Sequence, residues 1–553
     1  MDHNKLRLGL LLDSYEVPAW AFAALERVKK SCCAEITLIV LNDCDRVGKP
    51  GLGGLWHRRH HLVYELFNQI DERLDHREPK AFKIKNLHEI LSDVPAIHVK
   101  PGQMGKADYF AQSDIAIIKE YGLDILIKMG FGPLQGEILS ASKYGVWSYY
   151  HGDPRVIRGG PPGFWEVVKS WPETGCVLHT VGEDSGIGKI LYASWSFTHP
   201  FSPARNRSYY FWSSASFLSR QIELLHRLGD EQFFQEIEKY NRAFNLYDHK
   251  YYEAPANLLA LRLILKLAAR IIYRIYQKAF LRDQWYLLVD QRKNSSLSFS
   301  DFKKIMPPKD RFWTDPHVIQ GKDNYFIFIE EYPYRAKKGH LSVLEMDKEG
   351  NVKNPVQILK TNYHLSFPFV FEWQGRYYLV PESAENRTID LYECIEFPYQ
   401  WKYKMTLMEN VTALDTILFR AHDQWWLFTG IAENEGSIPQ VELFLFFSNE
   451  LFTKNWNPHP MNPLVSDVKS ARQAGGLIVK DGKLYRPSQD CSKMYGFGFD
   501  LNEILALSEN DYLEKKVASV RPEWDRKVEA THTIVYQENL VVIDAFTRRG
   551  KFF

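Results

Sequence analysis

Residues 321–331 read GKDNYFIFIEE. The same design, a polar turn running into an aromatic or branched strand, returns as QGRYYLVPES at 374–383, HDQWWLFTG at 422–430, DGKLYRPSQD at 481–490 and QENLVVIDA at 537–545. Aligned on Tyr325, Tyr377, Trp425, Leu484 and Leu540, the copies stand 52, 48, 59 and 56 residues apart. A period near 50 leaves room for several strands per copy. A four-stranded sheet must bury both faces against neighbours, so such sheets array radially and close into a propeller. Five copies predict an all-β, five-bladed propeller over 284–553. A pair of stacked sheets is the alternative, but its turns come every ~8–12 residues without the longer recurrence.

Ahead of this array the pattern changes. From Leu6 to about Leu191 strand-like runs such as LRLGLLL (6–12), 36–41 and 123–129 alternate with helical stretches such as 18–30 and 107–121. That alternation predicts a mostly parallel sheet covered by helices, an α/β Rossmann-like domain over 1–205. No GxGxxG follows the first strand, so a dinucleotide is not the expected ligand. The charged stretch 46–96 reads as a solvated insertion.

Residues 206–283 read as a helical connector. Within it Arg262, Lys266, Arg270, Arg274, Lys278 and Arg282 recur at every fourth position among Leu, Ile, Ala and Tyr, with no acid between 257 and 282. Such a helix suits peripheral contact with an anionic membrane surface through 257–282, or an interdomain strut whose basic side chains reach past an apolar face to water.

With 553 residues, more than one core is expected. The 69 basic and 68 acidic side chains leave a net charge of +1, which excludes a general nucleic-acid-binding field. Six cysteines without a CxxC pair fit neither a disulfide scaffold nor a metal site and point to a reducing, cytoplasmic setting. The apolar run at 6–12 is followed by Asp13 and Glu16, so it reads as a first buried strand and not as a signal peptide. No uncharged apolar stretch is long enough to span a bilayer.

The segment 121–191, YGLDILIKMGFGPLQGEIL through VGEDSGIGKIL, resembles the core of the folate-dependent formyltransferases over roughly residues 1–200. Leu134–Leu139 stands where that family has its folate-side LPxxxL loop. Arg158, Gly159, Pro162 and Trp165 match RGxxPxxxW, and Thr174-Gly175 matches the TG before the next strand. The resemblance implies 10-formyltetrahydrofolate as cofactor, with Gly130, Leu134 and Leu139 on its side and Arg158, Gly159 and Trp165 toward the substrate. It also implies an Asn/His/Asp set that polarises the formyl carbonyl and relays the proton. Those three positions fall here on Ser148, Tyr150 and Gly186. His151 and Asp184, one and two residues away, with Asp153 nearby, form a shifted alternative catalytic set beside Ser148 and Tyr150. A structural turn at His151-Gly152-Asp153 is the competing reading.

The C-terminal array resembles the propeller module that precedes the glycosyltransferase domain in plant glucosamine inositolphosphorylceramide transferases. FWTDP (312–316), LSFPFVFE (365–372), YLVPES, FPYQW (397–401), RQAGGLIV (472–479) and RPSQD carry the likeness. FWTDP and LDTILF (414–419) are also similar to inner-strand motifs of five-bladed glycosidases, which implies that Asp315 and Asp415, two repeats apart, point into a central cavity. Hydrolysis needs paired carboxyls across the sugar, yet the stretch matching that group's acid offers Arg472 and Gln473. Glu382, Asp490 and His532 are expected as cavity neighbours. Trp313, Trp425 and Trp426 are read either as sugar-stacking surfaces or as core.

Together these readings imply a formyltransferase-like protein of surface-glycan biosynthesis. It would pass formyl to a small-molecule or carrier-linked amino sugar, with Asp315, Asp415 and Arg472 binding glycan. A non-catalytic carbohydrate-binding protein and a glycosidase-like enzyme are the alternatives.

Overall fold

A computed structural model describes residues 5–551 except 45–51, 106, 158, 184–185, 243, 247–250, 292–298, 435 and 538. The chain divides into two compact units, 1–270 with 433–437, and 271–432 with 438–553. Among the described residues no helix is long and apolar enough to cross a membrane, and all six cysteines are free thiols.

The first unit is built on a seven-stranded sheet: β1 (Leu6–Leu12), β2 (Ala34–Asn42), β3 (Ala96–Val99), β4 (Ile125–Lys128), β5 (Val146–Tyr150), β6 (Glu173–Val181) and β7 (Ile187–Phe197). Their order is β7-β6-β5-β4-β1-β2-β3. The pairs from β3 to β5 are parallel, and β6 and β7 are added antiparallel. From Leu8 to Leu12 β1 carries no polar side chain and is buried, because both its faces are covered. Leu8, Leu10 and Leu12 enter one core cluster and Leu11 the other.

The helices Pro203–Ser214, Phe217–Leu228 and Asp230–Asn241 give Tyr210, Phe211, Phe217, Ile222 and Phe233 to the first of these clusters. The front of the expected connector is therefore built into this core. Helix does not run through to 283. It stops at Asn241, resumes over Asn257–Phe280, and gives way to a strand at Leu281.

Among the described residues the second unit holds five antiparallel sheets of four strands, one carrying an extra short strand. Each quoted repeat is the second strand of its sheet: Asn324–Pro333, Arg376–Glu382, Gln424–Ile431, Lys483–Asp490 and Leu540–Gly550. The last sheet joins both ends of the unit, pairing Leu281–Asp290 with Leu540–Gly550. Arg311–Gln320 touches Ser366–Trp373, and Arg376–Glu382 touches Ala413–Ala421. Gln489 donates to Asp415, the Ile534 amide donates to the Ala474 carbonyl, and Ile534–Gln537 returns to Arg311–Gln320. Every sheet thus meets the next and the fifth meets the first.

The first strands of three sheets share one defect. Pairing is interrupted between Thr314 and His317, between Ser366 and Phe369, and between Leu414 and Ile417. The residue after each break is left-handed: Asp315 at φ 51°, Phe367 at 45° and Asp415 at 47°. A bulge of this kind re-aims one side chain at a strand's inner end.

Candidate functional sites

In the first unit a cavity of about 310 Å³ opens where β4, β5 and β6 end. Lys128, Leu134, Ser148, Tyr150, His179 and Gly186 are among its lining residues. The loop after β4 is pinned in place, with the Phe131 amide donating to Asp13 Oδ1 (2.8 Å) and the Gly132 amide to Asp108 Oδ2 (2.6 Å). Ser148, Tyr150 and Gly186, the positions matching the formyltransferase catalytic set, all lie on this wall, as do Leu134 and Gly159. Tyr150 donates its hydroxyl to the Ile157 carbonyl (2.8 Å).

The shifted set is not assembled there. β5 ends at Tyr150, so His151 leaves the strand and turns inward. Its ring stacks on Phe211 with centroids 3.5 Å apart at 4°, meets Trp20 edge-on, and sits 3.1 Å from Ser214 Oγ. Burial pulls its pKa down to about 3, leaving a neutral packing group. Asp153 is buried and saturated by Arg155 (2.7 Å) and the Trp195 indole (3.1 Å). Trp165 is buried as well, its indole donating to the carbonyls of Gly160 and Glu253. Leu139 packs half-buried against the core. Gly130 serves close packing, since a Cβ there would stand 2.3 Å from the Asp13 nitrogen. Asp184 and Arg158 lie outside the described residues.

One imidazole that no sequence motif marks does line the cavity. His179 pairs across the sheet with Ser148, and its Nδ1 lies 2.8 Å from the Thr180 carbonyl, which fixes the proton on Nδ1 and leaves Nε2 as an acceptor. Burial first, and the Lys128 charge after it, lower its pKa to about 4.

In the second unit the bulged ends converge on a buried ion cluster. Arg472 grips Asp415 with two nitrogens, the Nη2–Oδ1 contact being 3.1 Å, and reaches Glu382 at 3.4 Å. Gln489 adds a bond to Asp415 at 3.0 Å. His532 lies between Asp315 (Nε2–Oδ1 3.0 Å) and Asp544 (Nδ1–Oδ2 2.8 Å). Burial alone would discharge the ring, but Asp544 and Asp315 raise its pKa to about 10. Burial likewise favours the neutral form of Asp315, and His532 with Arg472 outweighs it, holding the carboxyl below its usual range.

Glu330 and Glu382 go the other way. Burial, reinforced by Asp315 beside Glu330 and by Asp415 beside Glu382, lifts both well above ordinary carboxyls. The donor atoms of Asp315, His532 and Asp544 lie within 4.8 Å of one another. Because both ring nitrogens face carboxylates, the trio fits a protonated imidazolium better than a metal ligand set.

The sequence reading placed Asp315, Asp415, Arg472, Glu382 and His532 together, and they are together. Asp490 is instead engaged by Arg521 (2.9 Å) and Ser492. Trp313, Trp425 and Trp426 are buried core, Trp313 donating to Glu331. Missed were Glu330, Asp544 and Tyr495. Strand alternation held the signal for the first: of the neighbouring Glu330 and Glu331 one must face each way, and Glu331 is spent on Trp313, Arg311 and His340. Tyr495 carries no such signal. It is 41% exposed, lies over the Arg472 guanidinium at 4.9 Å and stands 5.1 Å from the His532 ring.

Comparison with known proteins gives a family match over residues 297–539, described as glucosamine inositolphosphorylceramide transferase 1, N-terminal. Glucosamine inositolphosphorylceramide transferase 1 of Oryza sativa subsp. japonica is 32% identical over 209 residues, 37% of this chain and 28% of the relative. The Arabidopsis thaliana protein of that name is 30% identical over 209 residues, 37% of this chain and 27% of its own length. The chain thus spans under a third of the curated relatives it matches. Among solved structures, a Penicillium chrysogenum α-L-arabinanase has a TM-score of 0.30 at 15% identity, covering 43% of this chain and 77% of that one. A glycinamide ribonucleotide transformylase 1 from Symbiobacterium toebii has a TM-score of 0.23 at 14% identity, covering 42% and 89%.

Proposed function

We propose that this chain is a glycan-handling protein of the transferase kind. Its second unit, read as a five-bladed propeller, binds saccharide at the Asp315–Arg472 cluster. Its first unit passes formyl from 10-formyltetrahydrofolate to an amino sugar. The observation that carries the saccharide half is the cluster itself: Glu330 and Glu382, whose burial favours the neutral carboxyl, beside Asp315, which His532 and Arg472 hold toward the ionised form, with the partly exposed Tyr495 over Arg472. Sugar hydroxyls need donors and acceptors side by side, and their C–H faces stack on aromatic rings. The printed name of the curated relatives, glucosamine inositolphosphorylceramide transferase 1, agrees with this reading.

For the first unit, the wall formed by Phe131, Pro133, Leu134, Val181 and Ile187 suits a planar heterocycle. When bound, the folate would supply the formyl group. His179 Nε2 would accept the proton of the attacking amine, and the cavity wall would orient that amine toward the donor.

The absence of an Asn, imidazole or carboxylate at Ser148, Tyr150 and Gly186 favours a second reading, in which the cavity binds without turnover. Calorimetry with 5-formyltetrahydrofolate, followed by mass spectrometry of nucleotide-linked amino sugars incubated with the 10-formyl donor, separates the two. Binding with product supports transfer, binding without product supports the second reading, and no binding removes the folate half of both. Glycan-array binding lost in Tyr495→Ala would support the saccharide half, and an array silent for the unmodified chain would remove it.

A further inference from the structure

Outside the Asp315–Arg472 cluster, the second unit holds a cavity of about 570 Å³ whose lining residues all belong to that unit. Local structure brings its cations together. Arg274 and Lys278, four apart, share a face of the last turns of the helix Asn257–Phe280. The strand Leu281–Asp290 follows without a loop and carries Arg282, and its Leu281 pairs with Gly550, which brings Lys551 alongside. The Lys551 amide donates to the Phe280 carbonyl at 2.9 Å, and its ammonium donates to the Lys278 carbonyl. These bonds satisfy carbonyls that the helix end leaves unpaired and that would otherwise repel an anion.

Four cations thus line one cavity, and no described carboxylate forms an ion pair with any of them. Arg274 donates to the neutral Gln277 at 3.3 Å, and Arg282 lies over the Tyr334 ring at 4.5 Å. The acid in the lining, Asp283, is engaged by Arg548 at 3.3 Å. The same cavity is lined by Phe312 and Tyr332, both half-buried, whose rings stack with centroids 4.7 Å apart. Unpaired cations beside aromatic surface have the chemistry to hold a phosphate carried on a ring. Such a phosphate brings a charge of about −1.5 to −2 and three acceptor oxygens. Ammonium and guanidinium groups supply the donors, and the apolar face of a ring meets aromatic side chains.

We propose that this cavity binds the phosphate ester of a ring compound, its phosphate held by Arg274, Lys278, Arg282 and Lys551 and its ring against Phe312 and Tyr332. A sugar phosphate and a nucleotide share that chemistry. No lining residue belongs to the Asp315–Arg472 cluster or to the cavity beside His179, so the proposal is independent of the saccharide and formyl readings.

The test is calorimetry of the full chain with glucose 1-phosphate, uridine monophosphate, inorganic phosphate, and the unphosphorylated glucose and uridine, at low and high salt. At least one ester is expected to bind, more tightly than inorganic phosphate, with its unphosphorylated parent silent and its affinity falling with salt. The tighter ester identifies the source of the phosphate. Lys278→Gln with Lys551→Gln should weaken that ester at least about tenfold, or 1.4 kcal/mol, and flatten its salt dependence at unchanged thermal midpoint. Tyr332→Leu should weaken it with the salt dependence kept, because the ring carries no charge. Failure of both esters to bind, a parent as tight as its ester, inorganic phosphate as tight as both esters, or undiminished binding in either variant overturns the proposal.

Discussion

The Nε2 of His532 lies 3.0 Å from Oδ1 of Asp315, across 217 positions of sequence, and makes the last sheet of the second unit answer electrostatically to the first. The imidazolium is held on its other nitrogen by Asp544. Its charge is therefore part of what closes the array.

That charge predicts a pH dependence. The folded pKa of His532 is about 10, above the ~6.5 of an unfolded histidine. Its contribution to stability is complete below the unfolded value and is lost as pH rises through the folded one. The thermal midpoint should fall between neutral pH and pH ~10, and His532→Gln should flatten that slope while lowering the midpoint at neutral pH. Parallel slopes in the two proteins would remove His532 as the cause.

Arg472→Met should cost ~3–5 kcal/mol in urea denaturation, because it strands Asp415 beside Glu382 without a buried counter-charge. Adding Asp415→Asn should recover a large part of that loss. A double variant as unstable as the single one would mean that Arg472 acts through packing alone.

His151→Ala should lower stability by about 2 kcal/mol through the lost stack on Phe211 and the space left behind. It should leave 5-formyltetrahydrofolate binding within about threefold, too little for loss of a group that meets the ligand. Ser148→Trp, which fills the cavity from its wall, should abolish binding while the chain stays folded. Loss of binding in His151→Ala at unchanged stability would return the imidazole to the site.

Gly130→Ala should fail to give folded protein. The added methyl would stand 2.3 Å from the Asp13 nitrogen and 2.7 Å from the Leu12 carbonyl carbon, both backbone atoms that cannot step aside. A soluble variant with native circular dichroism and reduced ligand binding would instead restore Gly130 as a ligand contact.

The repeating sheets were legible because each copy states its turn and its strand within a dozen residues. β1 was legible because a strand covered on both faces is apolar without alternation. The cluster at Asp315 and Asp415 was legible for a related reason: FWTDP and LDTILF, motifs that resemble inner strands of known propellers, set the two acids two repeats apart. Side-chain direction was legible only inside a strand. His151 was misplaced because β5 stops one residue before it, and no local pattern marks that stop. His179 was overlooked because what makes it an acceptor, the Thr180 carbonyl at its Nδ1, is set by ring rotation and not by spacing. Tyr495 lies in an irregular stretch, and its position over Arg472 comes from tertiary contact alone.

The left-handed residues at the three interrupted strands have one more consequence. Asp315, Phe367 and Asp415 share a backbone shape although two are acids and one carries a ring, so the shape is imposed by the surrounding sheet and not by any one residue type. Asn, Asp and Gly tolerate that conformation, and β-branched residues do not. Each position is therefore an interchangeable fitting on a fixed frame. An acid, an amide, a ring or a bare backbone can be mounted there without re-registering the strands, and the recognition chemistry at the centre of this unit can be rewritten one side chain at a time.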